Sequence, residues 1–310
     1  MTAQLLAIVG PTASGKTEAA VAVGEAIGAE IVSIDSTTVY HGMDVQTAKP
    51  TPAQRSRVPH HLIDVAEPEQ AFSVAEFQRL AFDAIAGIRD RGRLPLLVGG
   101  SGLYYRAVVD QLVFPGTEPA VRGLLEAEAR AMGPARLHDR LGEFDPDAAA
   151  RMEPANIRRI VRALEVAAVT GRPFSSFAAD WERYPPGHVR AAGLDVPRQV
   201  LHERIEARAR ADFPGLLDET RRLLQRGAGP FLTSLQAIGY AEAMDVMAGR
   251  MADKEALTRI IRRVKGLARR QLAWFRRDPR IRWFAVDERG AGAIADRLTD
   301  YLSGALAPAG

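Results

Sequence analysis

The chain of 310 residues contains no cysteine. That absence excludes disulfides, thiolate zinc sites and cysteine nucleophiles, while leaving the redox state of the compartment open. Long hydrophobic runs are missing too: no stretch approaches the roughly 18 uninterrupted apolar residues that a membrane span requires. The N-terminus has no charged head followed by a long apolar stretch, so a cytoplasmic location without a membrane partner is expected. A large charge of one sign is also lacking. The net charge is +3 and the isoelectric point near 9.4, which permits a polyanionic partner without demanding one. There are no internal repeats or low-complexity blocks. What remains is a globular composition, 47% hydrophobic and 25% charged, enough for the core of one large domain or two ordinary ones. A monomer is expected.

The first hundred residues alternate strand-like and helix-like segments. "LLAIVG" reads as a short buried strand, "KTEAAVAVGEAIG" as a helix ending at glycine, and "AEIVSID" as a second strand stopped by Asp35. "FSVAEFQRLAFDAIAGIRDRG" carries a serine cap before apolar residues at helical spacing, and "LPLLVGG" is a third strand. This rhythm predicts a parallel sheet covered by helices. Between about 119 and 185 the pattern turns helical with no convincing strand. "VRAAGLDV" then resumes as a strand, charged helices follow from Pro197 to about Phe275, and "IRWFAV" is the last strand. The predicted fold is therefore α/β, a parallel sheet flanked by helices with a helical insertion domain, and the motif "GPTASGKT" after its first strand makes that sheet P-loop NTPase-like. Its segments are a core first part at 1–118, the insertion at 119–185, and a core completion with basic helices at 186–310.

The strongest single motif is "GPTASGKT", Gly10 to Thr17. It has the G-x-x-x-x-G-K-[ST] spacing of a nucleotide-binding P-loop and lies between a strand and a helix, the context that the motif requires. Glycines let backbone N–H groups converge on phosphate oxygens, the helix N-terminus adds positive potential, Lys16 neutralises charge and Thr17 can ligate Mg²⁺. The spacing predicts a polyphosphate ligand, ATP or another, without identifying it. Asp35 follows a strand, where open α/β sheets place ligands. It suits a Mg²⁺-bound acid, a base acting on an acceptor, or a plain turn cap. Ser101, in "VGGSGLYYRA", offers a hydroxyl in the same crevice or a helix cap. His60 and His61 are adjacent and point different ways, with no third ligand evident for a metal.

Two basic stretches could meet nucleic acid. In "NIRRIVRALEV", Ile157, Ile160, Val161 and Leu164 share one helical face while Arg158 and Arg162 lie one turn apart on another. From Arg259 to Arg282 there are ten basic residues against the single acid Asp278, with Trp274 and Phe275 close by to stack or pack. Either stretch also fits a solvated charged face. A P-loop small-molecule kinase would have no need of such helices, and an RNA-dependent ATPase would.

In order, "GPTASGKT", "DSTTVYHGMDVQTAKP", "PHHLIDV", "PLLVGGSGLYYRAV", "RRIVRALEV", "LQAIGYAE" and "ARRQLAWFR" resemble the signature blocks of tRNA dimethylallyltransferases, also called tRNA isopentenyltransferases. The resemblance spans most of the chain. It implies transfer of a dimethylallyl group from dimethylallyl diphosphate to the exocyclic amine of the adenosine just 3′ of the anticodon. The cradle would then hold a diphosphate leaving group. By resemblance Asp35 is the base, with Ser101 and Lys16 as its catalytic companions. Gly10, Thr12, Ala13, Ser14, Gly15, Lys16, Thr17 and Arg208 would meet the diphosphate, and Thr17 a Mg²⁺ ion. Asp35, Ser36, Thr37, Thr38, Ser101, Arg122, Arg158, Arg159, Arg162 and Gln236 would meet tRNA. Ser101 stands where threonine is usual and keeps the hydroxyl; Gln46 stands where glycine is usual. The C-terminal zinc module of some relatives is not expected in a chain without cysteine.

Overall fold

The computed structural model describes residues 5–177, 183–186, 189–226, 237–287 and 290–304. Six strands form one sheet, β1 (Leu5–Val9), β2 (Ala29–Ser33), β3 (His60–His61), β4 (Leu94–Gly99), β5 (Val189–Asp195) and β6 (Ile281–Ala285). Their order is β3-β2-β4-β1-β5-β6, and every pairing is parallel. The two-residue β3 was not legible as a strand: it is too short for an alternation to register, and it exists through its pairing beside Ile31 and Val32.

The period of two along each strand sorts the core into two layers. Ala7 and Val9 of β1 face one way with Val32, Ile34 and Leu97, whereas Leu6 and Ile8 face the other with Ile31, Leu96 and Val98. The first layer is covered by α3 (Val74–Asp90), α4 (Gly102–Val109), α9 (Arg198–Gln225), α10 (Tyr240–Met247) and α11 (Asp253–Phe275). The second is covered by α1 (Lys16–Ile27), the start of α9 and α12 (Ala295–Ser303). Both faces are buried, which is why the strands read as largely apolar runs. Each fully buried Ile, Leu or Phe here contributes about 1.5–3 kcal/mol. Local chemistry sets several helix ends: Ser73 caps α3 by accepting the Glu76 N–H at 3.1 Å, and Thr51 and Gln54 form a capping box on α2 (Pro52–Arg57).

The chain divides into two compact units, Met1–Gln111 with Pro185–Gly310, and Leu112–Tyr184. The second contains α5 (Pro119–Met132), α6 (Pro134–Phe144), α7 (Pro146–Ala150) and α8 (Ile157–Thr170), three of them opened by proline. Its core is Leu125, Leu137, Leu141, Ile160, Val161 and Leu164 with smaller residues between them. The helical unit begins earlier than the helical pattern does. The irregular segment 112–118 is fastened to α8, through the Glu118 N–H on Glu165 and the Pro115 and Gly116 carbonyls on Arg162. Ile157, expected on the buried face of α8, is 38% exposed. It is the first residue of the helix, before the buried stripe of Ile160, Val161 and Leu164 begins.

Candidate active site

The site lies at the carboxyl ends of β1, β2 and β4. The turn after β1 runs from Gly10 into α1, whose first residue is Lys16. Gly15 takes a φ of 85°, and a Cβ there would come within 2.8 Å of the Ala291 Cβ, so both backbone and space require glycine. No side chain among the described residues caps α1, which leaves first-turn N–H groups of that helix without a capping acceptor. Ala13 also sits in the left-handed region, at φ 63°. Ser14 is fully buried, and its Oγ has no partner among the described residues. The Lys16 ammonium folds back to donate to the Pro11 carbonyl at 2.6 Å. Burial pushes the Lys16 pKa down to about 8; Asp35 opposes the fall and Arg208 adds to it.

Asp35 follows β2. Its Oδ1 accepts the Thr37 N–H at 2.9 Å and the Thr37 hydroxyl at 2.7 Å, the Asx-turn geometry of a turn residue. The other oxygen, Oδ2, has no protein donor among the described residues. Turn cap and reactive carboxylate are therefore compatible, one oxygen for each. Thr38 bonds Ser33 at 3.0 Å beneath. Ser101 caps α4, its Oγ accepting the Tyr104 N–H at 3.3 Å, while its own N–H donates to the Ile34 carbonyl at 3.2 Å. As an acceptor in that bond the hydroxyl keeps its proton to donate.

A cavity of about 400 Å³ joins the loop after β1 to Asp35. Of the residues singled out from sequence, Thr12, Ala13, Gly15, Lys16, Thr17, Asp35, Thr38 and Arg208 line it. Gly10 and Ser14 form the loop behind that wall, Ser36 and Thr37 the turn beyond Asp35, and Ser101 stands at the end of β4. His60 is a wall residue as well. Burial holds its imidazole below the usual value although Nδ1 bonds the Val58 carbonyl at 2.7 Å. His61 instead bonds Glu30, which Arg91 also holds, and no metal-ligand cluster occurs among the described residues.

The helical unit gives its arginines unequal roles. Glu165 is fully buried and receives Arg122 at 2.7 Å, Arg162 at 2.8 Å and the Glu118 N–H at 3.0 Å. Burial alone would raise its carboxyl; these three donors outweigh that and hold it below the usual value. Arg162 also binds the Pro115 and Gly116 carbonyls. Arg158 and Arg162, expected together as a phosphate stripe, differ in their surroundings: Arg162 is held on a buried carboxylate while its side chain stays 27% exposed. Arg158 and Arg159 are exposed, with no side-chain partner among the described residues. Gln236 lies outside the described residues.

Several cavity residues escaped the sequence reading. Gln271, from α11, accepts the Thr12 N–H at 2.8 Å, and its amide lies so close over Gly100 that a Cβ there would meet it at 2.4 Å. It belongs to "ARRQLAWFR", where the basic run drew attention away from the neutral amide. Arg204 precedes Arg208 by one turn of α9, an i,i+4 spacing that was available as a signal. Thr47 and Ala48 enter the wall from a loop held by distant residues. Of the basic run, Phe275 is buried against Tyr105, while Trp274 packs over Gly102 and stays 37% exposed.

Comparison with known proteins adds three findings. The model of the IPP transferase family matches residues 38–278. A protein of Salinispora arenicola named tRNA dimethylallyltransferase is 48% identical over 297 residues, covering 95% of this chain and 85% of its own, and one from Moorella thermoacetica with the same name is 46% identical over 309 residues, covering 96% and 95%. The crystal structure of the full-length tRNA isopentenylpyrophosphate transferase of Bacillus halodurans superposes with a TM-score of 0.70 at 40% identity, covering 97% of this chain and 96% of that one.

Proposed function

This chain belongs to the IPP transferase family, and on that premise we infer its reaction: transfer of a dimethylallyl group from dimethylallyl diphosphate to the exocyclic amine of the adenosine 3′-adjacent to the anticodon in tRNA, releasing diphosphate. The observation that carries this to individual residues is one cavity with the phosphate loop on one wall and Asp35 on another.

The reaction breaks the allylic C–O bond, forms a C–N bond and frees one proton from the amine. An adenine amine is a weak nucleophile because its lone pair is delocalised into the ring, so a fixed carboxylate that takes the proton as the nitrogen gains positive charge helps directly. Asp35 serves there through Oδ2, since Oδ1 is committed to Thr37. The Ser101 hydroxyl, with Ser36, Thr37 and Thr38 beside Asp35, positions the acceptor base. On the opposite side, negative charge grows on the departing diphosphate. The loop from Gly10 through Thr17, the N-terminus of α1, Lys16 and Arg208 oppose it with donors already in place.

A divalent ion fits the donor set. Thr17 supplies a hard oxygen ligand, and the described residues hold no cluster of three or more carboxylates or histidines. Mg²⁺ suits such a site because it keeps waters and substrate phosphate oxygens as most of its ligands. Thr17 would hold it, and it would neutralise charge on the leaving group. For tRNA, Arg158 and Arg159 supply backbone contacts. Arg122 and Arg162 act by holding Glu165 and the segment before α5, and Gln236 contributes from the block before α10. We place the enzyme, as a monomer, in the cytoplasm with its tRNA.

Incubation with tRNA and either dimethylallyl diphosphate or ATP tests the reading. A mass gain of one dimethylallyl group on tRNA, with diphosphate released, is expected. Phosphate release from ATP with no gain on tRNA would overturn it in favour of a kinase or an RNA-dependent ATPase.

A further inference from the structure

Arg208 and Glu219 stand about three turns apart on α9, so both face the same side of that helix. Glu219 is buried, 3% exposed. Its carboxylate accepts the Asp44 N–H at 2.8 Å, the Val45 N–H at 3.2 Å and the Tyr240 hydroxyl at 2.7 Å. Two consecutive peptide N–H groups are thus gathered by Glu219, whose carboxylate is itself held by Tyr240. The carbonyl of the next residue, Gln46, accepts Arg208 Nη2 at 3.0 Å, and Asp212 accepts Arg208 Nε at 3.2 Å. Nη1 remains without a protein acceptor among the described residues, on a side chain that lines the cavity.

A restraint of this kind has a physical purpose. Lys16 and Arg208, two like charges, line the same cavity and repel one another; this repulsion adds in a minor way to a Lys16 pKa lowered chiefly by burial. An arginine without fixed partners would swing away and lose rotamer entropy again on binding. The carbonyl dipole of Gln46 and the carboxylate of Asp212 hold the guanidinium against that repulsion.

We propose that Glu219 and Tyr240 are positioning residues for diphosphate: they fix the peptides of Asp44 and Val45, and the carbonyl of the next residue, Gln46, aims Arg208 into the cavity. The proposal rests on the reading that Arg208 meets the diphosphate. Neither Glu219 nor Tyr240 touches the ligand; both act through Arg208.

A double-mutant cycle read by calorimetric titration of inorganic diphosphate, with the melting temperature of every variant recorded, tests it. Arg208→Ala weakens binding about tenfold or more, as loss of a charge-assisted hydrogen bond does. Glu219→Gln weakens it about fivefold in the native background, within the range for residues of one network, and causes no further loss in the Arg208→Ala background. Tyr240→Phe keeps the buried ring and follows the same pattern with a smaller factor, which answers the question if Glu219→Gln fails to fold. Equal factors in both backgrounds would overturn the proposal and leave a packing role. So would native affinity in Glu219→Gln and Tyr240→Phe beside a tenfold loss in Arg208→Ala. Native affinity in Arg208→Ala would instead remove the diphosphate contact on which the proposal stands.

Discussion

The phosphate loop, residues 10–15, and the loop of residues 43–49 both reach the same cavity, and they are held in opposite ways. The first is built almost wholly from its own sequence: a left-handed Gly15, a Ser14 N–H on the Pro11 carbonyl at 3.4 Å, and Lys16 folded onto that carbonyl. Among the described residues its one distant hydrogen bond is to Gln271. The second is held from outside. Glu219, itself held by Tyr240, and Arg208 reach it from across the chain, and the nearly buried Lys49 ammonium ties it to Asp44, Asp64 and the Tyr40 carbonyl. A loop coded by local geometry can be recognised from eight residues; a loop coded by tertiary partners cannot.

Variants of the cavity, the two loops and the helical unit sharpen that difference, taken from the largest expected effect downward. Asp35→Asn lowers kcat on the order of 10²–10⁴-fold, the contribution of a positioned proton acceptor. Direct titration with dimethylallyl diphosphate shows unchanged affinity, because the amide oxygen can keep the Thr37 turn and the phosphate loop is untouched. A parallel loss of binding would make Asp35 a metal ligand in the first place.

Lys16→Ala lowers kcat/KM at least tenfold, from about 1.5–3 kcal/mol of charge-assisted bonding. The same lysine sets a pH dependence. Bound diphosphate favours the ammonium form, so its affinity is full below the free-enzyme value of about 8 and falls as pH rises above it. Diphosphate titrations across that range show the fall in the native protein and its loss in Lys16→Ala.

Lys49→Met leaves Asp64 with Arg55 alone and frees the 43–49 loop. Unfolding in denaturant shows a stability loss of about 1.5 kcal/mol, while diphosphate affinity falls by less than in Lys16→Ala. The reverse ranking would mean that the second loop, and not the phosphate loop, is the main diphosphate holder.

The smallest effect concerns the helical unit. Arg158→Ala with Arg159→Ala removes two phosphate contacts and makes the salt dependence of tRNA binding shallower by roughly 1.4 in log–log slope, with the melting temperature unchanged. Arg162→Ala behaves differently: it strips a donor from the buried Glu165 carboxylate, so it lowers the melting temperature of the protein. An unchanged slope in the folded double mutant returns Arg158 and Arg159 to an ordinary solvated surface and leaves the basic face of α11 as the RNA contact.

Much of this was legible in the chain itself. Five of the six strands announce themselves as largely apolar segments of five to seven residues with at most two charges each, because a parallel sheet buried on both faces needs little polar alternation. The phosphate loop and Asp35 follow from short-range rules, namely glycine where φ is positive and a carboxylate where a strand ends. Tertiary structure decided the rest. It spent Arg162 on Glu165, placed Gln271 on the Thr12 N–H and gave Glu219 to the peptides of Asp44 and Val45. Charge and spacing show that an arginine or a glutamate is present. Which partner it takes depends on the burial of a carboxylate or an N–H contributed from far along the chain, and a buried polar group takes whatever partner the packing of distant helices brings within hydrogen-bond reach.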